Sequence, residues 1–283
     1  MPDRNAARLK ILGAAAIFST GGALIKSTGF TAWQTAGLRS AVAAAAILAL
    51  EPGSRRGWSW RAPLVGVAYA ATLVLFVAAN KLTTAAGSIF LQSTAPLYLL
   101  LLGPLVLKEP LRRRDLAFMA ALAAGMACLI IGRTPSSASA PDPARGNVLA
   151  LASGVTWAFT LLGLRWLGRS AEGAAATVAG NVIAALACAP WALPLPPAPA
   201  ADWLRIAFLG VVQIGVAYSL LSRGLRQVSA LETSLLVLLE PVLNPIWAWA
   251  VHGETLGPLT AAGAAVVLAS TAGHVAAGAR ERA

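Results

Sequence analysis

Glu240 lies in the middle of the apolar run Leu231–Val251. A charged side chain at a bilayer centre costs roughly 2.5–3.5 kcal/mol on insertion scales, so such a group must face protein, water or a partner. Its chemistry would be to hold a cation or to carry a proton. Helical spacing puts Thr233, Val237, Glu240, Asn244 and Trp247 on one side of the run. The plain alternative is a structural pair with an arginine, or a protonated acid bonded to backbone freed by Pro241.

A second run, Ala85–Leu107, offers the row Ser88, Gln92 and Pro96, with Tyr98 close by. Other runs add Ser19, Thr20, Tyr69, Asn80, Trp157, Thr160, Gln213 and Tyr218. Hydroxyls and amides can recognise an ammonium and a carboxylate, and aromatic faces attract cations. With Glu240, Asn244 and Trp247 these are the candidate substrate-binding residues. Taken singly, each is better explained by interhelical hydrogen bonding worth under about 1 kcal/mol. Pro96 and Pro241, and also Pro245, each remove a backbone donor and free a carbonyl.

The remaining reactive types point to no further chemistry. Lys26, Lys81, Arg223 and Arg226 fall at run ends, where the expectation is snorkelling to the interface. Arg39 is deeper and reads as a structural anchor. Cys128 and Cys188 are isolated, and His252 and His274 lack metal-ligand spacing, so neither metal nor cofactor is expected. No HExxH, Walker or Asp-rich motif points to an enzyme.

These residues sit in a chain that is 58% hydrophobic and 12% charged, with mean hydropathy +0.71. Soluble domains carry about 25% charged residues, so the composition is that of a membrane protein. Ten runs are long enough to cross a bilayer: Leu9–Ser27, Ala32–Leu50, Pro63–Lys81, Ala85–Leu107, Leu116–Ile131, Val148–Leu167, Ala174–Leu193, Trp203–Ser222, Leu231–Val251 and Leu259–Ala277. The first reads as an uncleaved helix rather than a signal peptide. Residues 134–146, rich in Pro, Ser and Ala, read as a linker between a first unit over 1–133 and a second over 147–283.

A constant offset relates the two units. Pro241 falls on Pro96, Glu254 on Glu109, Leu256 on Leu111, Arg226 on Lys81 and Ala230 on Ala85. With the N-terminus inside, 16 of the 22 Lys and Arg residues fall on cytoplasmic segments, which places both termini in the cytoplasm. The same bias explains the net charge of +11 without nucleic acid. Five helices per unit is an odd number, so the second unit would enter from the opposite side as an inverted repeat. The expected fold is an all-α membrane protein of ten transmembrane helices in two inverted five-helix repeats.

The ten runs, the duplication, and a mid-helix proline followed by Glu-x-Leu in runs four and nine resemble the drug/metabolite transporter superfamily, in its EamA-repeat branch. Phe18-Ser-Thr-Gly-Gly against Trp157-Ala-Phe-Thr, and Arg39 in run two, add to the resemblance; Asn181 stands at the place corresponding to Arg39 in run seven. It implies a secondary transporter of small metabolites in the bacterial inner membrane, similar to aromatic and general amino-acid exporters. Its partners would be an amino-acid-like substrate, the lipid bilayer and, where Glu240 titrates, a coupled proton. A monomer suffices, because two fused halves can close a cavity alone. The alternatives are a drug, nucleotide-sugar or lipid-linked carrier of the same fold, or a non-transporting membrane scaffold.

Overall fold

The computed structural model describes residues 4–95, 97–98, 113–131, 137–167, 171–225, 236–237 and 239–280. Among them every regular element is helical, and the only bridge is the Ser137–Ala140 turn. Pro96, Glu109, Arg226 and Thr233 lie outside the described residues.

The first run is broken in two, α1 (Arg4–Ser19) and α2 (Gly21–Ser27). At the break the Thr20 hydroxyl turns back onto the Ile17 carbonyl at 2.7 Å, and Gly21-Gly22 follow. Hydroxyl back-bonding and adjacent small residues are recognised causes of helix bends. α3 (Ala32–Leu50) starts at a capping box: the Gln34 N–H reaches Thr31 Oγ1 at 3.2 Å and the Thr31 N–H reaches Gln34 Oε1 at 3.1 Å. α4 (Arg61–Leu82) and α5 (Ala85–Gln92) follow, α5 capped by Thr84 through the Gly87 N–H at 3.1 Å.

α6 (Arg113–Ile131) comes next, and beyond it lie α7 (Pro143–Leu167), α8 (Ala171–Ala192) and α9 (Ala200–Phe208). α9 runs through a π-helical stretch, Leu209–Val216, into α10 (Ala217–Leu225). α11 (Leu239–His252) and α12 (Pro258–Arg280) complete the chain. One boundary is corrected: α7 begins at Pro143, inside the stretch expected to be linker. Asp142 accepts the Arg145 N–H at 3.2 Å, and proline suits the first turn, where its missing N–H costs nothing.

Six of these helical stretches are long and apolar enough to cross a bilayer, and Leu116–Cys128 and Pro258–Ser270 are shorter apolar helices. Large apolar side chains stand outward, Leu186 at 69% and Leu204 at 71% exposure, as a lipid-facing surface requires. Tryptophans gather at both ends. Trp33 stacks on Trp191 at one, and Trp60 meets Trp166 edge-on at the other with Arg61 over the Trp166 ring.

Apart from the pairs α1–α2 and α9–α10, which each continue one span, the described helices meet at two opposite ends of the bundle. One end collects the ends of α2, α4, α8 and α11: Asp142 N–H bonds the Leu82 carbonyl, Gln34 bonds the Ala192 carbonyl, and Lys26 pairs with Glu254. The other end joins the close of α3 to that of α10 through Glu51 and Arg223, at 3.1 Å. The halves interleave rather than sit side by side. α4 packs on α7 and α8, α3 on α8 and the π stretch, α1 on α10 and α11, α5 on α7, and α6 on α12. Small residues make these crossings close: a methyl on Gly66 would lie 2.9 Å from the Gly180 nitrogen.

Candidate functional site

The break between α1 and α2 gathers the first group of polar residues. Ser19 is fully buried, and its hydroxyl donates to the Ala16 carbonyl at 2.6 Å while accepting the Trp247 indole N–H at 2.9 Å. Asn244, one turn earlier on α11, donates to the Ser19 carbonyl at 3.2 Å. Asn80 donates to the Phe76 carbonyl at 2.9 Å. A methyl on Gly22 would lie 2.9 Å from Asn244 Nδ2 and 3.1 Å from Asn80 Oδ1, so both amides face the same glycine. Among the described residues, buried atoms without hydrogen-bond partners include the Asn80, Asn181 and Asn244 side-chain oxygens, Arg39 Nε and the Tyr69 and Ser88 hydroxyls.

A second group surrounds Arg39, which is 2% exposed. Its guanidinium reaches the Leu73 carbonyl at 3.3 Å and Gln213 Oε1 at 3.5 Å. Gln213 lies in the π stretch, whose wider turn re-aims side chains and often marks function. Tyr69 and Tyr218 meet edge-on with ring centroids 5.4 Å apart, and Phe18 meets Tyr218 at 5.1 Å. Glu240 lies within electrostatic reach of Tyr218 and is mostly buried. Among the described residues its carboxylate has no hydrogen-bond or ion-pair partner.

The third group is a ladder between α4, α5 and α7. Gln92 donates to Ser153 Oγ at 2.7 Å, Ser153 to the Thr72 carbonyl at 3.3 Å, and Thr72 to Thr156 Oγ1 at 3.0 Å. Thr160 lies 3.3 Å from Thr72. Tyr98 flanks the ladder beside Gly154, and Trp157 is half buried against the Tyr69 cluster. The candidates thus fall into three neighbouring groups instead of one. None lines the cavity of about 890 Å³ at the α2 end of the bundle.

Two expectations are corrected. Lys26 and Lys81 do not snorkel outward. The Lys26 ammonium sits 3.1 Å from Glu254 Oε1, with side chains only 3% and 5% exposed, and Lys81 donates to the Thr28 carbonyl at 2.7 Å. The 137–140 turn and the segment after α11 cover them, so protein oxygens are nearer than bulk water. Sequence reasoning also missed Thr72, Ser153 and Thr156. They belong to the matched runs, but small hydroxyls in a helix usually bond their own backbone and give no pattern of their own.

The model of the EamA-like transporter family matches this chain twice, over residues 6–131 and 144–275. The chain belongs to the EamA-like transporter family. Its apolar helices and this membership make it a multi-pass membrane protein of a family of small-molecule transporters. This EamA-like chain also has the fold of a protein solved by crystallography, with a TM-score of 0.66 and 22% identity over 99% of each chain. No curated protein matches it.

Proposed function

We propose that this EamA-like protein is a ten-span secondary carrier that exports small metabolites, most specifically amino acids, across the bacterial inner membrane by alternating access. Each half contributes five spans, with residues 1–133 and 147–283 as inverted repeats and both termini cytoplasmic. The helix contacts support the repeat. Exchanging each span with the one five places on turns the α1–α10 contact into α7–α4, and α1–α11 into α7–α5, while α3–α8 and α6–α12 map onto themselves. An inverted repeat gives two states of equal construction around a shared centre.

The observation that supports the substrate class is a set of buried polar atoms of both kinds without partners among the described residues. The Asn80 and Asn244 oxygens are acceptors, Arg39 Nε is a donor, the Tyr69 and Ser88 hydroxyls can be either, and the Glu240 carboxylate also has no partner among the described residues. An ammonium supplies three donors, and the Tyr69 and Tyr218 rings suit a cation. Arg39, whose Nε has no partner among the described residues, provides a donor for a carboxylate. Glu240 meets the ammonium or carries a proton in exchange for it.

Uptake into proteoliposomes tests the reading. A panel of labelled amino acids should be transported, with cationic dyes and nucleotide sugars left behind. Dye transport without amino-acid transport would move the substrate to the drug class, and no transport of any solute would leave a scaffold.

A further inference from the structure

The 890 Å³ cavity at the α2 end is lined by charged residues that the three polar groups do not use, among them Lys26, Lys81 and Glu254. Glu254 is only partly engaged. Its Oε1 is buried without a hydrogen bond among the described residues but lies at ion-pair distance, 3.1 Å, from the Lys26 ammonium, and Oε2 accepts the Ala85 N–H at 2.9 Å. Lys26 is further held by the Ser139 carbonyl. Lys81 is placed differently. Among the described residues its ammonium donates only to neutral oxygens, the Thr28 carbonyl at 2.7 Å and Thr28 Oγ1 at 3.0 Å.

An ammonium has three donors, so Lys81 keeps one for the cavity. Among the described residues no carboxylate lies within ion-pair distance of it, while Asp202 is taken by Arg205 and the Gly29 N–H. The walls therefore carry two ammonium groups against one carboxylate. An enclosed charge without a counter-ion is costly, and an oxyanion entering from solution relieves that cost.

We propose that Lys26 and Lys81 form an anion-accepting site in this vestibule, which takes a small carboxylate or phosphate and in which Glu254 is the internal competitor for Lys26. The site stands apart from the central polar groups, and its occupancy can be read without transport. Two sources share this chemistry, a free solute and a lipid headgroup.

Calorimetric titration of the protein in zwitterionic-lipid nanodiscs tests it. The probes are N-acetylglycine, a carboxylate without an amine; inorganic phosphate; and glycinamide, an amine without a carboxylate. At least one of the anions should bind and glycinamide should not. Lys81→Gln should weaken anion binding about tenfold or more, as expected for a charged hydrogen bond, and Lys81→Arg should hold it within about threefold. Glu254→Gln should tighten binding several-fold by removing the competitor. Loss of the signal in anionic-lipid discs would name the headgroup as occupant, and its persistence would name the free solute. No anion binding, equal affinity in wild type and Lys81→Gln, or a Glu254→Gln protein that binds no tighter would each overturn the proposal. Should Lys81→Gln fail to fold, Glu254→Gln decides alone.

Discussion

The indole N–H of Trp247 donates to the Ser19 hydroxyl at 2.9 Å, tying α11 to the point where the first span breaks. Asn244 fastens the same turn through the Ser19 carbonyl. Two helices from opposite halves thus share one bent residue. In the proposed alternating-access cycle, movement of one half against the other would be felt at this contact.

Trp247→Phe keeps the ring and removes the donor. Interhelical hydrogen bonds in membranes average about 0.6 kcal/mol, so the unfolding midpoint should fall by no more than a few degrees. Transport should drop further than that stability loss accounts for. Thermal unfolding in detergent and initial uptake rates, measured on the same preparation, separate the two effects. Equal uptake in variant and wild type would leave the contact without a part in the cycle.

Glu240→Gln keeps the shape and removes the charge. Amino-acid uptake should fall at least about tenfold, the cost of losing roughly 1.4 kcal/mol of interaction, while yield and thermal stability stay near wild type. A protein that no longer folds would return Glu240 to the structural-pair reading.

Gly66 and Gly180 face one another across α4 and α8. A methyl on Gly180 would lie 2.8 Å from the Gly66 carbonyl and 2.6 Å from Tyr69 Cδ1. Gly180→Ala should therefore destabilise by about 1–3 kcal/mol, the usual cost of overpacking. Gly273, with nothing within 4 Å of an added methyl, is the control: Gly273→Ala should be neutral or slightly stabilising in the same denaturation series.

Reporters active on one face of the membrane, fused at Ala283 and Ser137, should place the first in the cytoplasm and the second in the periplasm. A periplasmic signal from Ala283 would reverse the orientation drawn from the Lys and Arg distribution.

Cysteine placed at Gln92, in a protein lacking Cys128 and Cys188, should react with a water-soluble thiol reagent faster than cysteine at Leu186, which faces outward at 69% exposure. Val65 would be an unsuitable control, since it packs against Gly163 between two helices. Equal rates at positions 92 and 186 would remove Gln92 from any water-filled route.

Six of the ten expected spans stand among the described residues as long apolar helices, legible because lipid imposes one rule: apolar runs of fixed length, with basic residues in the gaps. The first span's break at Thr20-Gly21-Gly22 is not foreseen in the run Leu9–Ser27, although its cause is local. Linkers are harder, as Asp142 and Pro143 show: a capping acid and a proline begin α7 within composition that otherwise reads as loop. The site is least legible. Lys26 and Glu254 come from opposite halves, and whether a lysine at a helix end meets water or a carboxylate depends on what folds over it. The partners of Ser19, Asn244 and Thr72 likewise follow from helix crossings, which Gly22 and Gly66 permit but do not announce.

The wide turn at Leu209–Val216 has a consequence for heredity as much as for shape. A π-helical turn accommodates a residue more than the regular ladder does. Deleting one residue there would let the ladder close as an ordinary α-helix while everything downstream kept its azimuth, because the wide turn already holds the extra residue. The same deletion in a regular stretch of the span would rotate everything downstream by about 100°. Tyr218 would then swing away from Tyr69, and Arg223 from Glu51, although neither residue had changed. The wide turn is thus a place where this span can lose a codon and keep both contacts.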